Sequence, residues 1–235
     1  MCYSAQVKQK YQDYVRAWGA DIDIEAFVRL YWQRQQDRSI HIPKGMDAAF
    51  AEPRTADERR IRELIEAFDA AEIARIEQDV FAQRARLADA ERRLASKPSK
   101  AAAESRRIAT AKIARGLERL AELRRREPED RDARIYPGWH APVMLVERGR
   151  RIVRPMRYQC RPAGKPEDFD RRFPGTYNAR RDNLEGFWRE QFGHTHGVVM
   201  VRASGACDRS RGSGKAFTTE ARRTRRGNSE IRIQN

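Results

Sequence analysis

The fold turns on Val143-Met144-Leu145-Val146-Glu147-Arg148-Gly149-Arg150-Arg151-Ile152-Val153. Two apolar runs flank a charged turn, and Gly149 stands where a positive φ is cheap, which is the pattern of a β-hairpin. Downstream, Gly197 to Val201 is another apolar run of strand length. Between them Pro174-Gly175-Thr176 marks a turn, and Leu184, Phe187 and Trp188 suggest a helical stretch. Residues 129–201 are therefore expected to hold the β-structure.

Upstream the pattern changes twice. Residues 1–54 carry two short amphipathic helical patterns. Ser4 is placed to cap the first, which runs through Val7, Tyr11, Tyr14 and Val15 until Gly19 stops it. Asp21 or Asp23 can cap the second, where Phe27, Leu30 and Tyr31 form one apolar stripe. Ile40 to Ile42 alternates like a short strand before Pro43. From Thr55 onward the chain is almost wholly Ala, Glu, Arg, Leu, Ile and Lys, with Ile61, Leu64, Ile65, Phe68, Ile76, Val80, Leu87 and Leu94 at helical spacing. Thr55 with Glu58 reads as a capping box, and Lys97-Pro98-Ser99-Lys100 breaks the helix. A second helix carries Ile108, Ile113, Leu117, Leu120 and Leu123 until Pro128. Residues 55–128 thus predict an antiparallel helical hairpin. Its charged outer face reads most simply as solvated surface, with a nucleic-acid or partner arm as the competing reading. The expected class is α+β: a mainly antiparallel β domain with N-terminal helices and an inserted helical hairpin.

Composition limits the chemistry. The 235 residues hold three cysteines, with no CxxC pair and no apolar run long enough for a membrane span or a signal sequence, so a reduced, cytoplasmic, monomeric protein without disulfides is expected. Forty-nine Lys plus Arg against thirty-four Asp plus Glu leaves +15, a field that favours a polyanion. No P-loop, GxGxxG or GxSxG motif is present, which removes support for nucleotide hydrolysis, dinucleotide binding and the hydrolase elbow. His194-Thr195-His196 would present two imidazoles on one strand face, but no third ligand sits at informative spacing, and no metal or other cofactor is expected. His140, beside Pro137-Gly138-Trp139, reads as a structural residue.

Two places could carry function. Met1-Cys2 is the first: with Met1 removed, Cys2 carries a thiol and a free α-amine, which together can capture an aldehyde as a thiazolidine. The second is Arg157-Tyr158-Gln159-Cys160-Arg161, where an aromatic ring lies between guanidinium groups, as suits single-stranded nucleic acid. Core packing of Tyr158 with incidental surface arginines is the alternative there.

The terminal Met-Cys, the hairpin, and the run Pro174-Gly175-Thr176-Tyr177-Asn178-Ala179-Arg180-Arg181-Asp182-Asn183-Leu184-Glu185-Gly186-Phe187-Trp188 together resemble the SRAP family, the SOS response-associated peptidases that sense abasic sites in single-stranded DNA. The resemblance covers residues 1–201 and points to a branch with a long helical insertion. It implies that Cys2 is the nucleophile, crosslinking to the ring-opened aldehyde of an abasic site and exposed by autoproteolysis. It implies that Asn178 orients the trapped lesion and that Arg180 clamps the adjacent phosphate. Independently of the resemblance, their charge and aromatic spacing suggest that Arg157, Arg161 and Tyr158 extend the DNA contact. The implied setting is the cytoplasm, on the nucleoid when bound to damaged DNA, with abasic single-stranded DNA as partner and no membrane.

The family pattern then stops. Its Gly-aromatic-aromatic-Glu segment, whose Glu moves a proton, and its later His do not follow Val201. Residues 202–235 instead hold nine Lys or Arg against three Asp or Glu, +6 of the total charge, with few large apolar residues. Such a composition predicts a basic, disordered tail. The abrupt change at Val201-Arg202 is what a frameshift would produce, and a genuine nucleic-acid-binding tail is the competing reading; on the first, activity is expected to be impaired. A non-catalytic protein that binds nucleic acid or a partner through the helical hairpin is the alternative function.

Overall fold

The computed structural model describes residues 4–162, 164–166, 168–173, 176, 179, 181–193 and 196–201, together with the backbone of 229–233. In chain order the elements are β1 (Ala5–Gln6), α1 (Tyr11–Trp18), β2 (Asp21–Ile22), α2 (Ile24–Gln36), α3 (Lys44–Asp47), α4 (Ala56–Ser96), α5 (Lys100–Arg124), β3 (Arg134–Ile135), β4 (His140–Glu147), β5 (Arg150–Arg157), α6 (Phe169–Arg172), β6 (Gly197–Val201) and β7 (Ser229–Ile233). The class is α+β. A five-stranded sheet runs in the order β2-β5-β4-β6-β7 and is antiparallel except where β2 lies parallel to β5; β1 and β3 form an antiparallel pair.

The β4–β5 hairpin closes over Arg148 and Gly149, whose φ values of 50° and 78° give the double positive φ of a two-residue hairpin turn. That turn makes Glu147↔Arg150 a hydrogen-bonded pair, and alternation along the ladder makes Pro142↔Pro155 a non-hydrogen-bonded one. Neither proline is asked for an N–H toward the other strand. On the outer sides β2 reaches only Ile152 and Val153, and β6 meets β4 at Met144, so both missing donors fall beyond the neighbouring ladders.

One side chain fills the gap this leaves between β4 and β6. The buried Tyr14 phenol donates to Pro142 O at 2.8 Å and accepts from Met200 N at 2.9 Å. Burial pushes its pKa well above the ordinary tyrosine value, so the proton needed for the first bond is always present. Tyr11, Phe27, Tyr31 and Phe50 pack ring to ring with centroids 5.5–5.9 Å apart. A separate cluster gathers Val7, Ile135, Ala141, Val143 and Val199, with Ala5, Trp139, Leu145, Met156, Tyr158 and Val201 against it.

The N-terminal helices follow local rules with one exception. Gly19, at φ 59°, ends α1 by donating its N–H to Val15 O. Asp23, not Asp21, caps α2 through Oδ1 on Ala26 N at 3.0 Å, while Asp21 belongs to β2. Ser4 is not a helix cap. Residues 5 and 6 pair with β3 instead and Val7, wanted in the core, bridges to Val201, while the Ser4 hydroxyl accepts from Arg134 Nη1 at 3.1 Å. Ile40 to Ile42 forms only an isolated bridge, His41 to Trp139.

Residues 63–128 form a compact unit of their own, and residues 1–62 with 129–235 form the other. The expected capping box opens α4: Thr55 Oγ1 accepts from Glu58 N, and Glu58 Oε2 accepts from Thr55 N. Ser99 caps α5 by accepting from Ala102 N. Inside the hairpin unit Ile76, Val80 and Leu120 form the core with Ile73, Ile113 and Leu123. Gly116 lets α5 approach Val80, for a Cβ there would lie 2.4 Å from Val80 Cγ2.

Two expectations need correction. Leu184, Phe187 and Trp188 do not lie on a helix: a 3₁₀ turn at Arg181–Asn183 leads into successive turns, in which Trp188 N–H reaches back to Asn183 O. Asn183 and Gly186 are poor helix formers, which accounts for the break. Ser229–Ile233, expected to be disordered, pairs as β7 with the whole of β6. Glu-Ile-Arg-Ile alternates polar and apolar residues, and a strand satisfies the peptide groups on the β6 edge. The rest of the tail lies outside the described residues. Among those described, no helix is long and apolar enough to cross a membrane.

Candidate functional site

Cys2, Asn178 and Arg180 lie outside the described residues. The segments that lead into them are described and firmly tied. After Cys2, Ala5 pairs with Ile135 and Gln6 with Arg134. Val7 N then donates to Ala133 O at 2.9 Å and Lys8 N to Met200 O at 2.7 Å. Before Asn178, the Thr176 carbonyl accepts from Cys160 N at 2.9 Å, and the Thr176 hydroxyl accepts from Gln159 Nε2 at 3.1 Å. Ala5 and Tyr158 pack on the same apolar cluster, so the two segments converge there from opposite ends of the sequence.

Tyr158 continues β5 past its end, donating its N–H to Trp139 O and accepting from Gly138 N. Its ring is partly buried against the cluster, which favours the packing reading of this residue over an open stacking platform. Arg157 and Arg161 both turn to Asp170 on α6: Arg157 Nη2 donates to Oδ2, and Arg161 Nη1 lies 3.5 Å from the same oxygen. The Asp170 side chain is only 10 % exposed, and Oδ1 has no hydrogen-bond partner among the described residues. Two guanidinium groups sharing one carboxylate keep a net positive charge.

Beside this cluster, the exposed His41 ring stacks on Trp139 at 5.6 Å and 29°, and Tyr136 meets Trp139 edge-on at 5.3 Å. His140 is half-buried with Nδ1 3.3 Å from His41 O. Burial is the main reason its pKa falls to about 4; the nearby Arg157 charge adds to the effect, and the imidazole is neutral at pH 7. Asp170 and His41 are the residues that sequence reasoning missed. Asp170 lies nine and thirteen positions from its arginine partners, a spacing that no local periodicity reveals.

Among the described residues no group of three or more His, Cys, Asp or Glu side chains could hold a metal ion, and His194 of the His-Thr-His pair lies outside them. Cys160 is buried and forms no disulfide among the described residues. In comparisons with known proteins the chain matches no family model, no curated protein and no solved structure.

Proposed function

We propose that this chain is an SRAP-like protein that captures abasic sites in single-stranded DNA covalently through Cys2, with an associated autopeptidase activity. The observation that carries the reading is that Ala5, three residues after Cys2, and Tyr158 pack on one apolar cluster, while Thr176, two residues before Asn178, is hydrogen-bonded to Cys160, two residues after Tyr158. Residues meant to act together must be delivered to one place by rigid elements, and the shared cluster of Ala5 and Tyr158 supports this reading.

The chemistry is a condensation. With Met1 removed, the Cys2 amine attacks the lesion's aldehyde carbon and one water leaves, giving an imine. The Cys2 sulfur then adds to the imine carbon as the thiol proton passes to nitrogen, closing a thiazolidine. Asn178 orients the opened sugar and Arg180 holds the neighbouring phosphate. No Gly-aromatic-aromatic-Glu run follows Val201 directly, so the proposed capture relies on Cys2 itself, and slow adduct formation is expected.

The test is direct. Protein whose N-terminus is verified as Cys2 by mass is incubated with single-stranded DNA carrying one abasic site. An adduct that survives denaturing electrophoresis, and that Cys2→Ala abolishes, is the expected result. Failure of the folded, processed protein to form any adduct refutes the reading.

A further inference from the structure

We infer that the cleft between α6 and the turns after Asn183 is a subsite for an unpaired nucleobase of a single-stranded polynucleotide. The choice of polymer rests on the proposed function; the cleft itself does not depend on Cys2.

The cleft has a volume of about 420 Å³, within the range of ~300–1,000 Å³ typical of small-ligand sites. Phe169, Phe173 and Phe187 line it. Phe173 is 47 % exposed and Phe187 56 %, so two large apolar rings are kept at the surface facing one opening. Phe169 already supports Phe173, with centroids 4.5 Å apart at 34°, which holds the Phe173 ring in place.

A second observation is independent of the rings. Gln191 also lines the cleft, is only 4 % exposed, and its amide oxygen has no hydrogen-bond partner among the described residues. A buried acceptor left without a donor is destabilising, and every nucleobase offers an N–H along the edge it uses for pairing. A ring entering between the phenylalanines brings that donor with it.

Charge selects the polymer. Lys165 and Arg189 are exposed at the cleft and have no ion-pair partner among the described residues, in contrast to Arg157 and Arg161. Glu190 offsets one of the two, leaving a cationic rim suited to the phosphates on either side of a bound base. Thr176, two residues before Asn178 in sequence, is also on the wall.

The experiment uses the full chain with Cys2→Ala, so that only reversible binding is read. Fluorescence anisotropy compares a short oligothymidylate with a base-free oligomer of equal phosphate count. Phe187→Ala is expected to weaken oligothymidylate about tenfold while leaving the base-free oligomer within about twofold. Phe187 is exposed, so the variant should fold, and its melting temperature checks this. Gln191→Leu is expected to weaken only oligothymidylate, without loss of stability, because it removes an acceptor that lacks a partner. Equal binding of oligothymidylate by parent and Phe187→Ala, equal losses on both polymers, or no binding of either by the parent would overturn the proposal. A Cys2 protein that discriminates bases yet forms no abasic adduct refutes the proposed function and leaves the subsite standing.

Discussion

Replacing Tyr14 with Phe removes one oxygen and nothing else, which makes it a clean probe of how the sheet is held together. The phenol donates to Pro142 O at 2.8 Å and accepts from Met200 N at 2.9 Å, at a position closed to solvent. Without it, a buried carbonyl on β4 and a buried amide on β6 both lose their partner. Each such loss costs about 1–3 kcal/mol, so the variant should be about 2–4 kcal/mol less stable, with no cavity penalty because the ring and its edge contact with Trp18 at 5.4 Å remain. For a domain of this size that corresponds to a fall in Tm of roughly 5–12 °C. Thermal unfolding followed by near-ultraviolet circular dichroism measures the first quantity. Amide exchange at Met200 measures the second, and its protection should drop more than that of Val153, whose place in the β4–β5 hairpin does not involve the phenol. A Tm within about 2 °C of the parent, with Met200 protection unchanged, would refute the bridging role of Tyr14.

Two further outcomes are expected. Gly116→Ala should destabilise the helical hairpin by about 1–3 kcal/mol despite the better helix propensity of Ala, because the new methyl would lie 2.4 Å from Val80 Cγ2; Val80→Ala in the same chain should restore much of the loss in urea titrations, and additive losses would refute the contact. Stability should also fall as pH drops from about 6.5 to about 4, since the unfolded chain protonates His140 in that window while the folded chain holds it neutral; allowing for partial exposure the effect is about 1–2 kcal/mol, and His140→Gln should flatten the Tm-against-pH curve over that interval.

The elements that could be read from sequence are those whose signal is local. The β4–β5 hairpin depends on a glycine and two flanking apolar runs, and α4 depends on a capping box three residues wide, so each is specified within its own few residues. The first helix was misplaced because Val7 satisfies a helical period and a strand equally well, and burial in a cluster assembled from Ile135, Ala141, Val143 and Val199 decides between them. No window of sequence contains that decision. The same holds for Tyr14, whose spacing marks it as a core aromatic but whose hydroxyl partners lie 128 and 186 residues away. At the candidate site, Arg157 and Arg161 were legible as cations but not as a pair sharing Asp170. Tyr158 was legible as an aromatic among them but not as a residue packed into the cluster.

That distinction between a charge and an available charge narrows where a polyanion can bind. The field of +15 is spread over the chain, yet many of the arginines of β5 are already engaged: Arg150 with Asp21 at 2.8 Å, Arg154 with Asp23 at 2.6 Å and with Glu147, and Arg157 with Asp170. Burial alone would raise the Asp23 pKa, but the Arg154 hydrogen bond and charge, with the Ala26 N–H, bring it below the ordinary carboxylate value, which is the mark of a pair that persists at neutral pH. The Arg150 pair is exposed and weak, so a phosphate could exchange with it, but it lies seven residues up the strand from Arg157, about 23 Å at ~3.3 Å per residue. The half-buried Asp170 pairs are harder to exchange, because the carboxylate would have to leave two guanidinium groups at once. Among the described residues lining the phenylalanine cleft beside Thr176, Lys165 and Arg189 are cations without a carboxylate partner, and the proposed single strand would be held there.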